Sequence, residues 1–239
     1  MVNQDASMYK AIIFDLDNTL LDYTYSEAEC MRRTVREHHL NLDDEASWNT
    51  FWPTYLGHNF KHWMDFVHKR GPHRTIEDVL IHSFRDTISL HDSAYEKLSS
   101  TYWNHFCNTC YFEPDAEEVL QQVHATHKLG IISNGLGLAQ RKRLAAGQIY
   151  EKFHSIIVSD EAGVRKPGKE IFDLSLEELK LSNREVLFVG DSLSDDYHGA
   201  QNAGIDFCFY NRRAVSVSDE IKPTYTIGTL RDLIPVIKS

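Results

Sequence analysis

The sequence predicts an α/β fold in which a doubly wound parallel sheet forms the core and a helical module is inserted into it. From about residue 114 onward, apolar strand-like segments alternate with helix-like segments, which is typical of βαβ units. One more apolar segment lies near the start of the chain, and the long stretch between them has mostly helical periodicity. With 239 residues the chain is too short for two full-sized domains, so a core with an insertion is the simplest arrangement.

The first predicted element is a buried strand. Residues 11–14 are apolar without interruption and acidic residues follow at once, as expected where a buried strand ends in polar groups. The helical insertion is predicted to span residues 22–113. Within it Met31 and Val35 recur at helical spacing, and Thr75 followed by Asp78 predicts the start of another helix.

The rest of the core is predicted from the third stretch of the chain. Its strand-like segments are KLGIIS, SIIVS, EVLFVGD and DFCFY. The helix-like segments that separate them are LAQRKRLAAG, KEIFDLSLEEL and SDDYHGAQNAG. The predicted core therefore comprises residues 1–21 and 114–239, and its βα crossovers are expected to be right-handed.

Composition limits the classes of partner. Hydrophobic residues make up 42% and charged residues 25% of the chain, which is close to globular averages and excludes a disordered or fibrous protein. The net charge of −10 argues against a nucleic-acid polymer or an anionic membrane as partner. A small phosphorylated metabolite remains compatible with it, because a local group of donors can outweigh the overall charge.

The same composition leads to expectations about location and assembly. No apolar run is long enough to span a bilayer, and residues 1–10 lack the apolar segment of a signal peptide, so we expect a cytoplasmic protein. The sequence leaves a monomer and a homodimer both open.

Candidate site residues follow the apolar segments, because open α/β sheets bind ligands at the carboxyl ends of their strands. Three acidic or hydroxyl residues follow the first strand, a serine and an asparagine follow the second, a lysine lies in the loop after the third, and three acidic residues follow the fourth. They are Asp15, Asp17, Thr19, Ser133, Asn134, Lys166, Asp191, Asp195 and Asp196.

The chemistry of these residue types points to a phosphoryl group. Carboxylates gathered at one edge raise each other's pKa or recruit a cation, and an all-oxygen ligand set suits Mg²⁺. Ser133, the backbone amides of Asn134 and Gly135 before a helix, and Lys166 are donors suited to an anion. A carboxylate can also attack phosphorus and carry an aspartyl-phosphate.

Together, these motifs resemble those of the haloacid dehalogenase superfamily. The matching features are DLDNT at residues 15–19, the hydroxyl residue Ser133, Lys166 before a proline, and GDSLSDD at residues 190–196. The insertion after the first motif resembles the helical C1 cap of that superfamily, and the core would then be Rossmann-like. The stretch EAGVRKPGKEIFDLSLEEL and the size of the insertion are most similar to the branch of pyrimidine 5′-nucleotidase-like phosphatases.

The resemblance implies a role for each residue. Asp15 would be the nucleophile, and Asp17 would protonate the leaving oxygen and then activate water. Thr19 would order the loop of the first motif and would belong to the substrate-binding residues. The other substrate-binding residues would be Ser133, Asn134 and Lys166, which would bind the phosphoryl oxygens. The Mg²⁺ ligands would be Asp15, the carbonyl of Asp17 and Asp191, with an outer-shell contribution from Asp196. Asp195 is an adjacent acid where many relatives have asparagine, and the spacing favours Asp196 for the metal.

The expected function is a Mg²⁺-dependent phosphomonoester hydrolase that acts through an aspartyl-phosphate, with nucleoside 5′-monophosphates as the favoured substrates. Sugar phosphates or other small phosphorylated metabolites are the main alternative. A 2-haloacid dehalogenase is disfavoured because it has no need for an acid at Asp17 or a metal carboxylate at Asp191. A catalytically inactive binding protein is disfavoured because every reacting group is present.

Four aromatic residues of the insertion allow two interpretations. Trp48, Phe51, Trp52 and Tyr55 recur at helical spacing. They could form a wall that stacks a nucleobase, or they could be the packed stripe of an amphipathic helix, which is the general rule for such spacing. Pro53 is expected to disturb the helix at Trp52 and to begin a new one.

Overall fold

The computed structural model describes residues 9–238, which form two compact units. Within the described residues, an α/β unit comprises residues 9–23 and 110–238, and a helical unit comprises Thr24–Thr109. Residues 1–8, which include most of the segment in which no signal peptide is predicted, and residue 239 lie outside the described part. None of the helices in residues 9–238 combines the length and the hydrophobicity of a transmembrane span.

A single six-stranded parallel sheet forms the centre of the α/β unit, which confirms the predicted fold class. Its strand order is β3-β2-β1-β4-β5-β6, so the first strand of the chain lies in the middle. The strands are β1 (Ala11–Phe14), β2 (Lys128–Ser133), β3 (Ser155–Val158), β4 (Val186–Gly190), β5 (Asp206–Tyr210) and β6 (Tyr225–Ile227). The sequence did not predict β6, because its three residues, of which only Ile227 is buried, are too few to show a strand pattern.

Ten α-helices lie within the described residues. Those of the helical unit, of which the first begins at the unit boundary, are α1 (Tyr23–Glu37), α2 (Glu45–Val67), α3 (Ile76–Thr87) and α4 (Asp92–Cys107). Those of the α/β unit are α5 (Ala116–His124), α6 (Gly137–Ala146), α7 (Ser159–Ala162), α8 (Lys169–Leu179), α9 (His198–Ala203) and α10 (Leu233–Ile237). Single 3₁₀ turns lie at Tyr150–Lys152, Asn183–Glu185 and Leu230–Asp232, and a five-residue π-helix lies at Leu193–Tyr197.

The residues of strand β1 are all apolar because both faces of the strand are buried. Side chains alternate between the two faces of a strand, and helices cover both faces of this sheet. Ile12 and Phe14 belong to the hydrophobic core on one face, and Ala11 and Ile13 belong to the core on the other. Because each face is sealed, the first polar side chain after β1 has only the carboxyl edge of the sheet available to it.

The two segments that connect the α/β unit to the insertion pair with each other beside this edge. Leu21 and Phe112 form an antiparallel bridge, and the amide of Glu113 donates to the carbonyl of Leu20. The side chain of Glu113 is fully buried, and one of its carboxylate oxygens lies 2.5 Å from an Arg212 nitrogen. Arg212 also lies 3.4 Å from Asp22, so one guanidinium joins both connecting segments.

The helical unit has its own aromatic core. Thr75 and Asp78 form the predicted capping box at the start of α3. Trp48, Phe51 and Tyr55 of α2 are buried, and the Tyr55 ring lies 4.9 Å from the Phe84 ring, centroid to centroid. Of the four aromatic residues at helical spacing, Trp52 alone is partly exposed, which favours packing over base stacking.

Helix α2 is also continuous through Pro53, where the sequence suggested a break. A proline inside a helix removes one backbone hydrogen bond. Here the helix extends on both sides of it, with a ring contact between Trp48 and Trp52 before the proline and another between Trp52 and Tyr55 across it. Tertiary packing of the aromatic stripe therefore outweighs the local preference.

Candidate active site

The central strands bring the predicted site residues together at one edge of the sheet. Strand β1 lies between β2 and β4, so the residues after these three strands are neighbours. Asp15 follows β1, Ser133 ends β2 and Asp191 follows β4. The amide of Asp15 still donates to the carbonyl of Val189 in β4, which fixes the first acidic residue in line with the sheet.

Three carboxylates and one ammonium group lie together at this edge. Asp15, Asp191 and Asp196 each offer an oxygen, and these oxygens all lie within 4.8 Å of one another. Lys166 is almost fully buried and donates to Asp15 Oδ1 over 2.6 Å and to Asp196 Oδ1 over 2.7 Å. The lysine offsets part of the negative charge but leaves more carboxylates than cations.

The electrostatics of the cluster follow from this excess. Burial raises the pKa of Asp15 well above its ordinary value, and Lys166 offsets the rise only in part. Burial and the neighbouring Asp196 raise the pKa of Asp191 to about 7. For Lys166 burial acts to lower the pKa, but the two carboxylates outweigh it and hold the pKa above its usual range. The group thus has the oxygen donors and the negative charge that a hard divalent cation such as Mg²⁺ prefers.

The turn after β4 places Asp196 in the cluster and Asp195 outside it. The π-helix Leu193–Tyr197 directs Asp196 back toward the sheet, where the Ser192 amide donates to its Oδ2 over 3.0 Å. Asp195 instead accepts a hydrogen bond from the side chain of Asn134 over 3.2 Å. Gly190 makes room for this arrangement, because a Cβ there would lie 2.6 Å from the Cγ of Asp196.

Asn134 connects the loops that follow β2 and β3. Its side-chain amide donates to the carbonyl of Lys166 over 3.0 Å, and its carbonyl accepts from the Lys166 amide over 2.9 Å. The peptide bond between Lys166 and Pro167 is cis. The side chain of Asn134 is therefore used in holding the lysine loop, which leaves its backbone amide as the group that can meet a ligand.

Thr19 lies in the turn that closes the first motif. It is fully buried, and its hydroxyl has no hydrogen-bond partner among residues 9–238. The backbone closes the turn instead, since the amides of Leu20 and Leu21 both donate to the carbonyl of Leu16. A substrate contact by Thr19 stays a prediction, and in this conformation its hydroxyl is not exposed.

Two residues of α6 that the sequence did not indicate also lie at the site. Gln140 donates to Asp17 Oδ2 over 2.6 Å, and Arg143 lies 2.5 Å from Asp17 Oδ1. Arg143 is fully buried, whereas Asp17 is partly exposed. The run Arg141-Lys142-Arg143 contains no sign that its last member is buried; the only available signal was the helical spacing of Gln140 and Arg143, which places both on one face.

Most of the chain resembles known hydrolases in sequence. The family model described as haloacid dehalogenase-like hydrolase matches residues 12–210. The pyrimidine 5′-nucleotidase YjjG of Escherichia coli is 28% identical over 93% of this chain and 95% of its own length. A glyceraldehyde 3-phosphate phosphatase of Pyrococcus abyssi is 30% identical over 97% of this chain and 95% of its own length.

A solved structure extends the similarity to three dimensions. The putative hydrolase YfnB of Bacillus subtilis, described as bound to magnesium, superposes with a TM-score of 0.76 at 27% identity and covers 96% of this chain and 98% of its own. The family match includes the first strand, the four motifs at the sheet edge and the insertion between them. The chain belongs to the haloacid dehalogenase-like hydrolase family.

Proposed function

We propose that the protein is a Mg²⁺-dependent phosphomonoester hydrolase in which Asp15 forms an aspartyl-phosphate. The observation that carries this proposal is the cluster in which Lys166 separates Asp15 from Asp196, with Asp191 within 4.8 Å of both. A nucleophilic carboxylate, a fixed cation and further oxygen ligands are what transfer of a phosphoryl group to an aspartate requires.

Magnesium fits the residues present. The donors are all oxygen atoms, and two of the three carboxylates have a raised pKa, so a divalent cation would favour their ionised form. Asp15, Asp191 and the carbonyl of Asp17 would hold the ion, and Asp196 would support it from the outer shell. When bound, it would neutralise charge on the phosphoryl oxygens and position them for in-line attack.

The first chemical step is assigned to Asp15 and Asp17. Lys166 engages Oδ1 of Asp15, so we assign the attack on phosphorus to Oδ2. The new oxygen–phosphorus bond forms as the bond from phosphorus to the leaving oxygen breaks, and the carboxyl proton of Asp17 passes to that oxygen. Lys166, the Ser133 hydroxyl and the Asn134 amide hold the other phosphoryl oxygens, where negative charge is spread.

The second step restores the enzyme. Asp17 is now a carboxylate and accepts a proton from water, whose oxygen attacks the phosphorus of the aspartyl-phosphate. The bond between phosphorus and Asp15 breaks, and inorganic phosphate leaves. One residue thus serves as acid and then as base, as microscopic reversibility permits.

Nucleoside 5′-monophosphates are the proposed substrate class, supported by the similarity to the E. coli nucleotidase over nearly the whole of both chains. The similarity to a glyceraldehyde 3-phosphate phosphatase makes small sugar phosphates the second candidate. A dehalogenase would not require the acid at Asp17 or the carboxylate at Asp191.

The test is phosphate release with and without Mg²⁺ from a panel of nucleoside 5′-monophosphates, glyceraldehyde 3-phosphate and hexose phosphates, with chloride release from 2-chloropropionate in parallel. We expect Mg²⁺-dependent phosphate release that is fastest with a nucleotide. The Asp15→Asn variant should lose activity by several orders of magnitude, because no other group forms the covalent intermediate. Chloride release without phosphate release would overturn the proposal.

A further inference from the structure

The side chains of Gln140 and Arg143 both contact Asp17. They are three residues apart on α6 and lie on the same face of the helix. Gln140 Nε2 donates to Asp17 Oδ2 and Arg143 Nη1 donates to Asp17 Oδ1. Each oxygen keeps a second lone pair, at which Asp17 can carry the proton that it transfers. Gln140 and Arg143 are themselves buried, which holds each in one conformation.

The orientation of the Gln140 amide follows from its neighbours. Arg143 Nη1 donates to Gln140 Oε1 over 2.9 Å, and a guanidinium has no acceptor. The carbonyl oxygen must therefore face Arg143, and the NH₂ group must face Asp17 and Ser133. One hydrogen of Nε2 goes to Asp17 and the other to Ser133 Oγ, which lies 2.9 Å away. Every hydrogen-bonding atom of the amide group thus has a partner.

This orientation also determines the direction of the Ser133 hydroxyl. Ser133 Oγ accepts a hydrogen bond from Gln140, and Nε2 of a glutamine amide cannot accept one in return. The hydroxyl hydrogen of Ser133 must therefore point elsewhere, which keeps it available to donate. A hydroxyl that donates to a phosphoryl oxygen is what the proposed role of Ser133 requires.

We propose that Gln140 and Arg143 are positioning residues, which hold the Asp17 carboxylate for proton transfer and turn the Ser133 hydroxyl toward the phosphoryl group. The proposal deepens the proposed function and rests on it. Neither residue touches the substrate; each acts through a residue that does. Asp17 is more exposed than either partner, so without them its side chain could rotate toward solvent.

Gly135 supplies an independent way to disturb the same contacts. A Cβ at this position would lie 2.6 Å from Gln140 Nε2 and 3.2 Å from its Cδ. The group in the way is the end of a side chain, so the backbone need not move and the fold should survive. Gly135→Ala should displace the Gln140 amide and reproduce the kinetic defect of Gln140→Leu. The matched control is Gly228→Ala, because a Cβ at Gly228 has nothing within 4 Å.

The test compares two esters that differ in leaving group, 4-nitrophenyl phosphate and phenyl phosphate. Phenol leaves poorly without a proton, whereas 4-nitrophenol needs one much less. Proton transfer contributes about 10²–10⁴-fold, so we expect Gln140→Leu and Gly135→Ala to lower kcat/KM for phenyl phosphate at least about tenfold more than for 4-nitrophenyl phosphate. Arg143→Lys, which keeps the charge, should lie between wild type and these variants, and Gly228→Ala should match wild type.

A double variant separates positioning from a general structural defect. Asp17→Asn removes the transferable proton, so adding Gln140→Leu to it should not change the ratio of the two kcat/KM values further. An equal loss on both esters in Gln140→Leu would limit its role to the Ser133 hydroxyl and overturn the positioning of Asp17, while leaving the phosphatase assignment intact. A further change of the ratio in the double variant would also overturn the positioning of Asp17. If wild type releases phosphate neither from these esters nor from the nucleotide and sugar phosphate panel, the proposed function is wrong and the positioning role is wrong with it.

Discussion

The Gly190→Ala substitution tests how closely the acidic turn packs against β4. A Cβ at Gly190 would lie 2.6 Å from Asp196 Cγ and 2.8 Å from Asp196 Cβ, whereas ordinary contacts begin near 3.4 Å. The carboxyl carbon would therefore have to recede by about 0.8 Å. Rotation of the side chain relieves the contact with Cγ but not the one with Cβ, so the backbone of the turn must shift too.

Both hydrogen bonds of Asp196 would suffer from that displacement. The bond from the Ser192 amide spans 3.0 Å and the one from Lys166 spans 2.7 Å, so a shift of this size lengthens or breaks each of them. A hydrogen bond to a charged group contributes about 1.5–3 kcal/mol, and overpacking costs about 1–3 kcal/mol. Since the turn can relax in part, we expect the unfolding free energy to fall by about 3–5 kcal/mol.

The assay is urea unfolding of both glycine variants, followed by far-ultraviolet circular dichroism. Tryptophan emission is unsuitable here, because all four tryptophans lie in the helical unit. Gly228→Ala is the control and should be neutral or more stable by up to about 1 kcal/mol, since alanine restricts the unfolded chain. If the unfolding free energies of the two variants differ by less than about 1 kcal/mol, Asp196 does not pack against β4 as closely as described.

Three further predictions concern the metal site, the connecting segments and the helical unit. Asp191→Asn should raise the Mg²⁺ concentration needed for half-maximal activity much more than Asp195→Asn, because Asp191 lies in the carboxylate cluster and Asp195 is hydrogen-bonded to Asn134. Equal effects of the two substitutions would contradict the assignment of Asp191 as a metal ligand. Burial raises the pKa of Glu113 to about 7, so this carboxylate binds a proton more readily in the folded protein than in the unfolded chain. The unfolding free energy of wild type should therefore fall as the pH rises from 5 to 8, by up to about 3 kcal/mol. Glu113→Gln should remove that part of the slope, and unfolding curves of the two proteins with parallel pH dependence would refute it. Tyr55→Phe should leave the stability of the helical unit unchanged or raise it by about 1 kcal/mol, because the buried Tyr55 hydroxyl has no hydrogen-bond partner within residues 9–238. Tyr95→Phe should lower that stability by about 1 kcal/mol, because the Tyr95 hydroxyl is hydrogen-bonded to the backbone of Leu90 and of Ile88. Unfolding followed by tryptophan emission measures both variants, and equal losses would contradict the prediction.

The parallel core could be predicted because each of the strands β1 to β5 carries its own signal. An uninterrupted apolar segment followed by acidic or hydroxyl residues indicates both a buried strand and the edge at which it ends, and this placed Asp15, Ser133 and Asp191 together. Strand β6 escaped prediction because its three residues have no such pattern. The continuity of helix α2 was not predicted for a different reason. Pro53 locally favours a break, whereas the packing that keeps the helix continuous involves residues of α3 and α4 that are distant in sequence.

Within the site, the residues that meet reactants were easier to predict than those that hold them. Asp17 stands in a motif with a recognisable spacing, whereas Gln140 and Arg143 contact it across more than 120 positions of sequence. A helical arginine next to two other basic residues is ordinarily solvated, and its burial becomes favourable only because a carboxylate from another element pairs with it. The spacing of the fourth motif already favoured Asp196 over Asp195, and the π-helix that directs Asp196 inward supplies the physical reason.

Trapping the covalent intermediate shows directly whether Asp15 is the nucleophile. The Asp17→Asn protein would be mixed with Mg²⁺ and 4-nitrophenyl phosphate, quenched in acid, digested and examined by mass spectrometry. Because 4-nitrophenol leaves without much help while water attack needs a base, phosphoenzyme should accumulate, and the peptide that contains Asp15 should gain the mass of one phosphoryl group together with a burst of one nitrophenol per chain. Mg²⁺-dependent turnover by wild type with the phosphoryl group on another residue, or on none, would contradict the assignment of Asp15 as the nucleophile.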